Sequence, residues 1–138
     1  MKNNLIIDLE ERLVRYLSRT YPGRVHDKRM CDEEDYTFPP GCVLWKDSGF
    51  QGFEPEGVCT YQPKRKPRKH ELSAEEKAEN TKISRIRILV EHIISGVKRC
   101  RIVHDVFRNT KAHFDDLVME IACGLHNFRT TWRYNTLE

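Results

Sequence analysis

Two carboxylates stand out among the residues able to do chemistry. Asp47 closely follows the apolar run Cys42-Val-Leu-Trp45 and precedes Ser48-Gly49. A carboxylate at the end of a buried strand is a common functional position. It is also a common turn former, and on the residues alone the turn is the simpler reading. Glu91 lies in a helical pattern, four residues after Arg87 and seven before Lys98. At 100° per residue these three share one stripe beside the apolar face. The bland reading is a surface ion-pair ladder. The sharper one is a carboxylate flanked by cations that hold phosphates. Asp47 and Glu91 together offer two hard oxygen ligands suited to Mg²⁺ or Mn²⁺. Two-ion phosphoryl chemistry normally takes more carboxylates than that.

Other candidates carry less. His26-Asp27 precedes a polar stretch, where it caps a helix or supports a site from behind; capping is the reading favoured. Six histidines and five cysteines show no pair at structural-zinc spacing. No one Cys–His pair is singled out as a nucleophile. Charge is unevenly placed. Residues 1–60 hold 8 basic and 11 acidic residues, residues 61–111 hold 14 and 6, and residues 112–138 hold 2 and 4. The densest stretch, Tyr61-Gln-Pro-Lys-Arg-Lys-Pro-Arg-Lys-His70, carries Lys64, Arg65, Lys66, Arg68 and Lys69. Like charges and two prolines keep it extended and exposed. It is either a phosphate-backbone contact or a solvated linker, assigned here to residues 53–72.

These residues need elements to position them. Residues 3–7 and 12–18 are β-prone around Asp8-Leu-Glu-Glu11 and predict a β-hairpin, although Asn-Gly turn chemistry is absent. Tyr21-Pro-Gly23 is a turn, His26–Glu34 one short helix, and Phe38-Pro-Pro-Gly41 a breaker. Cys42–Trp45 reads as a buried strand and residues 48–70 as loop. Ser73-Ala-Glu-Glu76 is a capping box. Apolar residues at 83, 86, 89, 90, 93, 94 and 97 then form one helical face running to about Lys98, with Gly96 a weak point. Phe114, Leu117, Val118, Ile121, Ala122, Leu125 and Phe128 mark one face of a last helix, with Asp115 and Asp116 in its first turn. There are no internal repeats. The order implies a mixed α/β domain.

The length suits a single domain, assigned to residues 1–138. The composition, 38% hydrophobic and 33% charged, is more charged than average. Periodic apolar blocks nonetheless argue against disorder. No apolar run exceeds four residues, which excludes a membrane helix, and Asp8 cuts Leu5-Ile6-Ile7 too short for a signal peptide. An odd number of cysteines without CxxC predicts reduced thiols in a cytoplasmic protein.

Tyr21-Pro-Gly-Arg-Val-His-Asp27, Leu44-Trp-Lys-Asp-Ser-Gly-Phe-Gln-Gly52, Arg87-Ile-Leu-Val-Glu-His-Ile-Ile-Ser-Gly-Val-Lys98, Phe114-Asp-Asp-Leu-Val118 and Ala122-Cys-Gly-Leu-His-Asn127 occur in this order. Together they resemble the DDE transposases of bacterial insertion sequences, in particular the DDE superfamily endonuclease domain related to PIF/Harbinger transposases. The resemblance covers nearly the whole chain. It implies an RNase H-like fold and metal-dependent cutting and joining of DNA by an Asp-Asp-Glu triad. By resemblance, Asp47 matches the second Asp. Glu91 matches the Glu, inside an Arg-x3-Glu-x6-Lys pattern made by Arg87, Glu91 and Lys98. Ser84 stands where related groups often carry Tyr.

The resemblance also implies an absence. The first triad Asp belongs to a strand upstream of the hairpin, usually followed by Gly; Asp8, in the hairpin turn and followed by Leu, does not replace it. The chain therefore reads as a truncated RNase H-like domain, the C-terminal part of a transposase, inactive alone. Arg87 and Lys98 would neutralise phosphate charge near Mg²⁺ or Mn²⁺, and the five cations of 64–69 would follow the DNA backbone without reading bases. Expected partners are DNA, with an upstream-encoded transposase fragment or further copies of the chain. The alternatives are a non-catalytic DNA-binding module, a complementing subunit of a split transposase, or a remnant. Without the first strand, sheet edges and part of the core would be exposed, predicting marginal stability.

Overall fold

The computed structural model describes residues 2–105 and 107–135, with the side chains of Tyr134 and Asn135 left aside. It is a mixed α/β structure of two small sheets and four α-helices among the described residues. The chain divides into two compact units. One comprises residues 1–23 and 89–138, the other residues 24–88.

In the first unit, β1 (Leu5–Asp8) and β2 (Leu13–Leu17) pair antiparallel, with a register shift between Ile6 and Ile7. The expected hairpin forms without Asn-Gly because Asp8 organises the turn. Its Oδ1 accepts from the amides of Glu10 (3.0 Å) and Glu11 (3.1 Å), an Asx turn that stands in for a backbone turn. Arg12 takes the left-handed conformation at φ 58° that closes the loop. This unit also holds the last part of α2 (Ala74–Val97), the short α3 (Arg101–His104) and α4 (Phe114–Asn135). Val14, Ile93, Val97, Ala122 and Cys123 form its core, flanked by Leu5, Ile7, Leu17, Leu89, Cys100 and Val103. The short α3 has no periodicity long enough to be read from sequence.

Side chains of α4 hold the hairpin. The Asn127 Oδ1 accepts from the Val14 amide and its Nδ2 donates to the Val14 carbonyl, both at 2.8 Å. One amide side chain thus satisfies both main-chain groups of a buried strand residue. His126 Nε2 donates to the Arg12 carbonyl at 3.1 Å, and Asp116 Oδ1 accepts from the Thr20 amide at 2.6 Å.

In the second unit, α1 (Asp27–Glu34) starts from His26 and ends at Asp35 in the left-handed conformation. The strands β3 (Val43–Trp45) and β4 (Cys59–Tyr61) pair parallel. A 3-10 turn, Ser48–Phe50, lies between them. Two expectations are corrected here. Residues 48–70 are not all loop: they contain the 3-10 turn and β4. The run at 42–45 is a strand but not a buried one, since Val43 is 47% exposed. A two-stranded sheet has little to cover its outward side chains. Met30, Cys31 and Ile83 are buried in this unit. Trp45 stacks on Tyr61 with ring centroids 4.6 Å apart, and Lys82 lies over the Trp45 ring.

The capping box of α2 forms in both directions. The Glu76 amide donates to Ser73 Oγ at 3.1 Å and the Ser73 amide donates to Glu76 Oε2 at 3.0 Å. The apolar stripe is covered as expected, with Ile83, Ile93 and Val97 buried. The face expected on α4 is corrected. Ala122, Cys123 and His126 face inward, while Leu117, Ile121, Leu125 and Phe128 are exposed.

Candidate functional site

Asp47 ends the β3 segment and begins the 3-10 turn. Its Oδ1 accepts from the Ser48 amide at 2.7 Å, which makes it the turn former that its context suggests. Its Oδ2 lies 3.7 Å from Arg87 Nη2. The carboxylate is therefore oriented by its own backbone and faces a guanidinium, with about half its side chain open to solvent.

The neighbours of Asp47 fix the loop. Lys46 is buried, and its amide donates to the Tyr61 carbonyl at 2.8 Å, anchoring the residue before Asp47 to β4. Its ammonium donates to the Phe53 carbonyl (2.5 Å) and to Glu54 Oε1 (2.6 Å). A buried ammonium needs such partners. The Lys46 and Thr60 hydrogen bonds hold the Glu54 carboxyl below the usual carboxylate range. Sequence reasoning missed this cluster, because a lysine beside a candidate aspartate reads as surface charge.

His26 caps α1, its Nδ1 accepting from the Lys28 amide at 3.3 Å, as favoured from sequence. Asp27 reaches the turn after Asp47. A Cβ placed on Gly49 would lie 2.3 Å from Asp27 Oδ2. Only glycine there lets the carboxylate approach the Asp-Ser-Gly turn so closely.

Glu91 and Lys98 lie in the other unit, Glu91 in the C-terminal part of α2 and Lys98 just past its end. With Ile94, Ser95, Arg99 and His104 they line an open depression of about 540 Å³. The helix register beneath it is held at Gly96. Arg129 Nη2 donates to the Gly96 carbonyl at 2.9 Å, and the His126 ring packs so near that a Cβ on Gly96 would lie 2.5 Å from Nδ1.

The basic stretch is exposed at Lys64, Arg65, Lys66, Arg68 and Lys69. Its first residue is nevertheless pinned. Asn80 on α2 accepts from the Lys64 amide and donates to the Lys64 carbonyl, both at 3.0 Å. The Lys64 ammonium lies 3.7 Å from Glu76 and 3.5 Å from Glu79, and Lys66 lies 3.2 Å from Glu71.

None of the five cysteines is in a disulfide. Burial pushes the Cys31 and Cys123 thiols up to about 11. Both are protonated at neutral pH and unsuited to act as nucleophiles. Carboxylate oxygens such as those of Asp47 and Glu91 suit a hard divalent cation. Among the described residues, however, no three His, Cys, Asp or Glu side chains gather into a metal-holding group. No helix among the described residues is long and apolar enough to cross a membrane.

Comparison with known proteins agrees with these motifs. The family described as DDE superfamily endonuclease matches residues 2–127. A probable transposase for insertion sequence element IS702 from Microchaete diplosiphon is 29% identical over 106 residues. That match covers 77% of this chain and 38% of the relative, so the chain spans well under half the length of the protein it matches. No solved structure matches. With nearly all of its residues inside the family match, and the Asp47 and Glu91 motifs within it, this chain belongs to the DDE superfamily endonuclease family and is related to insertion-sequence transposases.

Proposed function

We propose that residues 1–138 are part of a transposase catalytic domain of RNase H-like fold that cuts and joins DNA by phosphoryl transfer. The observation that carries the reading is Asp47, a carboxylate fixed by the Ser48 amide with a guanidinium 3.7 Å from its second oxygen. Asp47 and Glu91 serve as two carboxylate ligands of the catalytic centre, and a further carboxylate from outside residues 1–138 completes it. A divalent cation, Mg²⁺ or Mn²⁺, bound there would activate the attacking oxygen and stabilise the leaving one.

The chain's own residues orient and neutralise. The Ser48 amide holds one Asp47 oxygen, and Arg87 faces the other. Arg87 and Lys98 offset phosphate charge as it approaches the carboxylates. Asp27 and His26 support the Asp47 turn through Gly49 and the start of α1. The exposed cations of 64–69 contact the DNA backbone without base specificity.

The test is strand cleavage of a labelled duplex with Mg²⁺ or Mn²⁺. Residues 1–138 alone give little or no nicking. Adding a polypeptide that carries a further carboxylate strand restores it, and Asp47→Asn or Glu91→Gln abolishes the restored activity. Mg²⁺-dependent nicking by residues 1–138 alone that vanishes in Glu91→Ala would overturn the need for a further carboxylate. Restored activity indifferent to both substitutions would remove Asp47 and Glu91 from the site.

A further inference from the structure

Three cations fall within four residues where α2 ends, at Lys98-Arg99-Cys100-Arg101. Basic residues at a helix C-terminus commonly complement its dipole and bind its last carbonyls. Here the main chain and another helix already meet those carbonyls. The Lys98 amide donates to Ile94, the Cys100 amide to Val97, and Arg129 to Gly96. Lys98, Arg99 and Arg101 are exposed, and none of the three is ion-paired to a described residue. This contrasts with Lys64 and Lys66 of the basic stretch, which lie against Glu76, Glu79 and Glu71. An unneutralised cluster costs self-repulsion unless an anion meets it.

The cluster is also placed. Lys98 and Arg99 line the depression that Glu91 and His104 share. The corner from α2 to α3 is held by the Val103 amide donating to the Cys100 carbonyl at 2.9 Å and by the partly buried Cys100 and Val103 packed on the core. The cations therefore stand on a corner packed against the core, with Glu91 as the opposing charge and Asp105, 3.2 Å from His104, at its far end.

We propose that Arg99 and Arg101, with Lys98, form a second phosphate-contacting surface for duplex DNA, separate from the 64–69 stretch. The proposal rests on the DNA-transacting reading above but not on its metal chemistry. Binding of a labelled non-specific duplex is followed by fluorescence anisotropy across a salt titration, with EDTA present. Each lost phosphate contact lowers the magnitude of the log–log salt slope by about 0.9. The double variant Arg99→Gln/Arg101→Gln should lower it by about 1.8. Lys64→Gln/Lys66→Gln should lower it by less, because those side chains already face carboxylates. Circular dichroism checks that both variants keep the wild-type fold, as expected for exposed positions. A slope and affinity unchanged in Arg99→Gln/Arg101→Gln would overturn the proposal. So would a wild-type chain that binds anionic vesicles but no duplex. Because EDTA removes the metal, failure of the catalytic reading shows only in the cleavage assay and leaves this slope where it is.

Discussion

Gly96 is a place where one added methyl would collide with a held side chain. The His126 ring lies where a Cβ would go, and it cannot withdraw without giving up the Arg12 carbonyl. Gly96→Ala should cost about 1–3 kcal/mol, the usual range for overpacking. Urea unfolding measures it, and His126→Ala in the same chain should recover part of the loss, since the two residues are in contact. A midpoint unmoved by Gly96→Ala would mean that the ring is not held there. A second residue-scale effect is on pH. The Lys46 and Thr60 hydrogen bonds lower the folded-state pKa of Glu54. A carboxylate lowered on folding contributes stability that is complete above its unfolded value and is lost as pH falls through the folded one. Stability should therefore decline on acidification below the ordinary carboxylate range, and Glu54→Gln should flatten that decline. A decline of equal steepness in Glu54→Gln would place the titration elsewhere, with Asp8 the next candidate because the Glu11 amide lowers it.

Among the elements, Asn127 of α4 makes two of the hydrogen bonds that hold the hairpin. Removing the Asn127 amide leaves the amide and carbonyl of buried Val14 without partners. Asn127→Ala should cost about 1–3 kcal/mol by this route, read as a lower thermal midpoint. Asn127→Asp keeps the acceptor but loses the donor, and should fall between wild type and Ala. If Ala and Asp unfold alike, the Val14 amide gains nothing from the side chain. The contact also marks the limit of what the sequence makes legible. The capping box, the stripe of α2 and the Asp8 turn are local, and each was readable because its partners lie within a few residues. Asn127 meets a residue 113 positions away, and nothing in its spacing points there. The same holds for β4, three residues long, which becomes a strand only by pairing with β3. At the candidate site the capping role of Asp47 was legible from Asp-Ser-Gly. The approach of Arg87 to it was not, because the tertiary fold makes that contact.

For the whole molecule, the decisive feature is the outward stripe of α4. Leu117, Ile121, Leu125, Phe128 and Trp132 recur at three- and four-residue spacing, each between 44% and 66% exposed. Phe128 and Trp132 stack at 6.3 Å. Contiguous apolar surface on a helix signals an interaction face or an aggregation liability. Magnitudes decide what kind of association to expect. Large aromatic side chains bury about 150–250 Å², so covering the exposed part of each ring yields roughly 2–4 kcal/mol at about 25 cal/mol per Å². Association itself costs about 4–15 kcal/mol in lost freedom and ordering. Two rings and three half-exposed aliphatic side chains from each copy therefore support concentration-dependent self-association. Sedimentation velocity over a concentration series should show the weight-average mass rising above that of the 16.4 kDa chain. Phe128→Ser/Trp132→Ser should return it toward the monomer while leaving the helical circular dichroism unchanged, because neither ring is part of the core. A wild-type chain that stays monomeric across the series would mean that the stripe is tolerated in water. A double variant that still associates would move the contact to another surface, with the open edge of β1 the next to test.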